Sequence, residues 1–170
     1  MPALLRRLGF GRVQETSLGA EMVVREHRRM GFDRPLVSSS CPVVVNLIER
    51  HYPDLLSMLA PVVSPMIAHG RYMKNAFPGY LTVFVGPCVA KKGEAGEEGI
   101  SDSIDYVLGF DEFWEWVQEE GLDPGKLQGE DFDGPRPGLA SLFPIEGGMI
   151  RALQAEGEKD CITIAGLQNC

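Results

Sequence analysis

Short β-branched runs alternate with amphipathic helical stretches along this chain, which predicts an α/β fold built on a mixed, mainly parallel sheet flanked by helices. Three observations carry the expectation. YLTVFVG and CITIAG are compact apolar runs of strand length, LGAEMVVREHRRM and PVVVNLIERH have helical spacing, and glycine or proline separates most of these segments. In folds of this kind the ligand crevice lies beyond the carboxyl ends of the strands.

In chain order, residues 3–8 read as the end of a helix stopped by Gly9 and Gly11, and RVQET as a short strand before Ser17 opens the next helix. Leu18 to Met30 forms an amphipathic helix with Gly31 as its C-cap, and PLVSSS a short strand. Pro42 suits a first helical turn, after which Val44, Leu47, Ile48 and His51 fall at helical spacing. Pro53 stops this helix, Leu55, Leu56 and Leu59 are expected to cover the core, and a further helix runs from about Pro65 to Ala76. A turn spans Phe77 to Gly79. YLTVFVG then reads as a strand buried on both faces, followed by VAKKGEAGEEG as a loop. IDYVLGF is a strand, and Asp111 the N-cap of a helix whose apolar stripe is Phe110, Phe113, Trp114 and Val117, closed by Gly121. The Gly-, Pro- and acid-rich stretch from Asp123 to Pro144 wraps the surface; a short helix ends at Ala155, and CITIAG is the last strand.

With 170 residues and 44% apolar content the chain can bury one real core, so one domain is the default. A net charge of −8 repels nucleic acid and anionic membranes, and the arginines Arg6, Arg7, Arg12, Arg25, Arg28, Arg29 and Arg34 read as a solvated helical face. No run approaches a membrane span or a signal peptide, and Cys41, Cys88, Cys161 and Cys170 lie too far apart in sequence for a secreted disulfide framework. The expectation is a cytoplasmic protein with reduced or metal-bound thiols.

Cys41 and Cys88 each stand at the predicted carboxyl end of a strand beside a proline. A helix start stabilises a thiolate, the species that ligates iron or zinc, and Cys41 meets that condition; Lys91 and Lys92 can supply positive charge near Cys88. Free cysteine also serves as a small buried hydrophobe, and a cysteine nucleophile with His51 or His69 as base is a further option. No CxxC pair decides among these.

The strings SSSCPVVVNLIERHYPDLL, SPMIAHGRYMK, VFVGPCVAKKGEA and IDYVLGFDEF, in this order, resemble the C-terminal catalytic domain of the large subunit of iron-only (FeFe) hydrogenases. The resemblance runs from LLRRLGFGRVQET to IEGGMIRAL and IAGLQNC, and PCVAKK is its most specific piece. It implies two lobes around a cluster crevice. It also implies a 4Fe-4S cluster held by cysteines and bridged to a two-iron subsite, together the H-cluster, at which protons and dihydrogen interconvert. Cys41 and Cys88 match the first two metal ligands; Lys91 matches the lysine that hydrogen-bonds the subsite, Pro87 the loop residue beside it, and Ser64 a serine of the SP turn. The implied partner is a ferredoxin-like electron carrier or an accessory iron-sulfur domain.

Departures from the pattern accompany these matches. The remaining two ligands belong to a CxxxC segment beyond the strand resembling CITIAGLQNC. The expectation is therefore a partial domain, 1–170, lacking that segment and the N-terminal ferredoxin-like part, inactive by itself and without the two-iron subsite. Cys161 and Cys170 fall outside the ligand pattern. Ser40 stands where active members carry the cysteine that delivers protons, and Gly86 where a methionine is usual; Glu26 is kept on the early helix. These changes favour, as the alternative, a non-catalytic module that binds clusters, senses hydrogen or redox state, or helps assemble clusters. A chain that folds without metal and does nothing measurable is the third option.

Overall fold

The computed structural model describes residues 1–31, 33–155 and 162–163. Its elements run α1 Pro2–Arg7, α2 Ser17–Met30, α3 Pro42–His51, α4 Pro65–Ala76, β1 Val83–Val85, α5 Ala90–Ala95, β2 Tyr106–Leu108, α6 Phe110–Glu119 and α7 Gly148–Ala155, with short 3-10 turns at Pro53–Met58, Pro124–Lys126 and Leu139–Leu142. They fall into two compact units. One comprises Met1–Glu15 with Gly70–Arg136, the other Thr16–His69 with Pro137–Cys170.

In the first unit β1 and β2 pair in parallel, Val83 opposite Tyr106, Phe84 opposite Val107 and Val85 opposite Leu108. Parallel neighbours need a crossover, and α5 lies within it. The apolar core is Leu4, Leu5, Val13, Phe113 and Val117, with Phe10, Val85, Leu122 and Leu127 packed against it. Helix α6 turns Phe113 and Val117 inward, whereas Phe110 and Trp114, expected on the same stripe, are about half exposed. The helix also starts earlier than expected: Gly109 is its N-cap, and the Glu112 carboxylate accepts the Gly109 N–H at 2.7 Å. Asp111 is left in the first turn.

The strand expected from YLTVFVG is shorter and only half buried. Tyr80 and Leu81 are exposed because the ladder begins after them: the Asp105 side chain accepts the Thr82 N–H at 2.6 Å and the Lys74 ammonium at 2.6 Å. RVQET forms no strand. The Val13 N–H donates to the Asp133 carboxylate and the Val13 carbonyl accepts the Asp133 N–H, both at 2.7 Å, so one loop residue does the work of a neighbouring strand. Arg6 holds that carboxylate at 3.0 Å.

In the second unit α2 presents Leu18, Ala20, Val23, Val24 and His27 to the interior and ends at Gly31, whose φ of 69° is open to glycine at little cost. Val24 packs on Met149, Ala152 and Leu153 of α7. Gly19 lies so close to the first turn of α4 that a Cβ there would meet the Pro65 carbonyl oxygen at 2.1 Å. PLVSSS yields a single parallel bridge, Val37 to Leu59, instead of a strand, since the chain turns at Ser39 and Ser40 and the Ser39 hydroxyl donates to the Ala60 carbonyl. Leu55 and Leu56 are exposed, contrary to expectation. The Val37 bridge draws in Leu59 and Ala60, while the preceding 3-10 turn leaves those two leucines outside. Of the last expected strand, 161–166, only Ile162 and Thr163 lie within the described residues.

Candidate functional site

Cys41 is the N-cap of α3, in extended conformation, and its carbonyl accepts the N–H groups of Val44 and Val45 at 3.1 Å. Pro42 at the first helical position brings no N–H of its own to satisfy and is buried, which anchors the turn. The thiol makes no capping bond and is exposed. The turn at Ser39 and Ser40 before it sends neighbouring hydroxyls to different partners. Ser39 donates to the Ala60 carbonyl at 2.8 Å, while the Ser38 and Ser40 hydroxyls lie 2.9 Å apart and 3.4 Å and 3.7 Å from the Met149 sulfur. Ser40 thus belongs to a small polar group beside a thioether.

Cys88 follows β1 in the other unit and is also exposed. The Gly86 N–H continues the ladder to the Leu108 carbonyl at 3.0 Å, and Pro87 is exposed. A Cβ on Gly86 would meet the Phe84 ring at 2.7 Å, so a larger residue there requires that ring to move. The Cys88 carbonyl accepts the Lys91 N–H at 3.1 Å, which turns the chain into α5. The segment read as a loop is therefore a short helix. Its Lys91 ammonium lies 2.7 Å from the Glu94 carboxylate with both side chains largely buried, while Lys92 is tied to Glu112 at the surface. The Lys92 ammonium and the Gly109 N–H hold the Glu112 carboxyl below its ordinary range.

Ser64 is buried, and its hydroxyl accepts the Ile67 N–H at 3.5 Å at the start of α4, a helix-capping position. His51 is exposed; His69 is buried, and burial pushes its imidazole below the ordinary value. Among the described residues no group of three His, Cys, Asp or Glu side chains could hold a metal ion. Two participants went unnoticed in the sequence. Glu94 was signalled by its three-residue spacing from Lys91 in AKKGEA, whereas nothing local marked Met149.

Residues 1–167 match the family described as iron only hydrogenase large subunit, C-terminal domain. The chain belongs to this family. It is 31% identical over 180 residues to the NADP-reducing hydrogenase subunit HndD of Solidesulfovibrio fructosivorans, covering 89% of this chain and 31% of that one. It is 29% identical over 171 residues to iron hydrogenase 1 of Clostridium pasteurianum, covering 87% and 30%. The cytosolic Fe-S cluster assembly factor NAR1 of Eremothecium gossypii is 32% identical over 136 residues, covering 76% and 29%. The chain thus spans about a third of these relatives' length. A solved variant of the FeFe hydrogenase HydA1 from Chlamydomonas reinhardtii superposes with a TM-score of 0.73 at 24% identity over 89% of this chain and 44% of that one, so the fold is shared.

For this hydrogenase-family chain the donor type suits an iron-sulfur cluster, since thiolates are its ligands, and two thiols stand exposed. The donor count does not: a 4Fe-4S cluster takes four cysteines, and the described residues supply Cys41 in one unit and Cys88 in the other.

Proposed function

We propose that this chain is the cluster-binding part of a hydrogenase-like iron-sulfur protein, with Cys41 and Cys88 as two of the thiolate ligands. The observation that carries the reading is that both cysteines among the described residues with free thiols are exposed, in a chain of the iron-only hydrogenase family. An iron-sulfur cluster supplies one-electron transfer when bound, and the complete H-cluster supplies the interconversion of protons and dihydrogen. Within this reading Lys91, whose ammonium also meets Glu94, anchors the anionic subsite, Pro87 shapes the loop beside it, Ser40 takes the place of the proton-delivering thiol and Ser64 that of the serine in the SP turn. A ferredoxin-like carrier or an accessory iron-sulfur domain delivers the electrons, in a reducing cytoplasmic compartment. No helix among the described residues is long and apolar enough to cross a membrane.

A second reading, a non-catalytic cluster-binding, sensing or cluster-assembly module, is favoured by Ser40. A hydroxyl has a far higher pKa than a thiol and is a poorer proton carrier near neutral pH. The similarity to NAR1 adds to it.

Anaerobic reconstitution with ferrous iron and sulfide, read by visible and electron paramagnetic resonance spectra, tests both. The chain is expected to take up iron weakly with thiolate-to-iron absorption, and Cys161→Ser/Cys170→Ser to retain it; no uptake by the wild-type chain contradicts the proposal. Dihydrogen evolution by the complete, matured parent protein above a cofactor-free control selects the first reading, and its absence there with the cluster retained selects the second.

A further inference from the structure

Helix α6 carries a row of carboxylates that it does not use. Asp111, Glu115 and Glu119 follow one another at four-residue spacing, all are exposed, and none has a hydrogen bond or ion pair among the described residues. The lysine nearest in kind, Lys92, is committed to Glu112 on a different row of the helix. Like charges at this spacing destabilise a helix, and carboxylates in the last turn oppose its dipole. The last turn nevertheless carries Glu119 and no basic residue. Asp111 in the first turn is explained by the dipole; Glu115 and Glu119 are not.

Beside this row runs an apolar one. Phe110 and Trp114 are 48% and 45% exposed, one turn apart, while Phe113 and Val117 fill the core and leave that flank uncovered. An aromatic pair edged by unpaired carboxylates is a surface on which a cation can lie over a ring while its neighbours meet acid. The geometry points to α6 as a docking face for a basic amphipathic segment of another protein, with Phe110 and Trp114 as apolar anchors and Asp111, Glu115 and Glu119 as charge partners. A second copy of this chain is the wrong occupant, because two chains of net charge −8 repel. The inference is independent of how iron is held.

The test is fluorescence anisotropy of a labelled amphipathic leucine–lysine peptide, and of its leucine–glutamate counterpart, titrated with the full chain. The lysine peptide is expected to bind and the glutamate peptide not to. Phe110→Ser/Trp114→Ser, which leaves the charge unchanged, is expected to weaken binding by about tenfold or more, as loss of aromatic anchors does at interfaces. Asp111→Asn/Glu115→Gln/Glu119→Gln should weaken it as much, whereas Glu49→Gln/Asp54→Asn/Glu98→Gln, which removes equal charge from other elements of the chain, should leave it within about threefold, a change expected of net charge alone. Equal binding by the aromatic variant overturns the proposal, as does equal weakening by the variant that removes charge from the other elements. A concentration-dependent dimer abolished by the aromatic variant overturns the choice of occupant.

Discussion

The Lys91 ammonium and the Glu94 carboxylate meet at 2.7 Å one turn apart on α5, with only 12% and 7% of their side chains exposed. Two charges so enclosed depend on each other, because removing one leaves the other desolvated. Glu94→Ala is therefore expected to lower stability by about 3 kcal/mol, and Lys91→Met/Glu94→Leu to recover most of that loss. Urea unfolding of both variants decides. A double variant as unstable as the single one would show that the pair contributes packing and not charge.

Gly19 is a packing constraint. A methyl group there would meet the Pro65 carbonyl oxygen at 2.1 Å and the His69 Cβ at 2.7 Å, and neither atom belongs to a flexible side-chain end. Gly19→Ala should cost about 1–3 kcal/mol despite the better helix propensity of alanine, so its thermal midpoint should fall. A raised midpoint would show that α4 yields there.

Acid should act in two stages. Burial holds the His69 imidazole neutral below its ordinary value, so its stabilisation is fully present above about pH 6.5 and is lost as pH falls toward the lowered folded value. The Asp133 carboxyl is held low first by the Val13 N–H and then by Arg6. For Asp105, desolvation acts upward and is outweighed by Lys74 and the Thr82 N–H together. Both carboxylates stabilise the fold above about pH 3.9, and that stabilisation is lost as pH falls through their lowered folded values. Stability measured against pH should show both declines, and His69→Leu should remove the upper one only.

Much of this architecture was legible in the sequence because it is written locally. Pro42 and Pro65 mark first helical turns, Gly31 and Gly121 mark ends, and the spacing of α2 and α4 gives their extents. The parallel pairing of β1 with β2 followed from the alternation of elements. What failed depends on partners distant in sequence. Val13 and Thr82 spend their N–H groups on aspartates 120 and 23 residues away, which neither RVQET nor YLTVFVG could announce. Leu55 and Leu56 obeyed composition and not geometry. Around the candidate site the helix start at Cys41 and the strand before Cys88 were legible from SSSCPVVV and VFVGPC, but the buried pairing of Lys91 and the place of Met149 beside Ser38 and Ser40 were not.

Iron and acid-labile sulfide per chain after anaerobic loading, measured for the wild type, Cys41→Ala, Cys88→Ala and the double variant, test ligation by these two thiolates most directly. If both serve one cluster, each single replacement removes nearly all the thiolate-to-iron absorption and the double replacement removes no more, the non-additivity of partners in one site. Single variants that keep the wild-type band, or losses that merely add, would contradict the account.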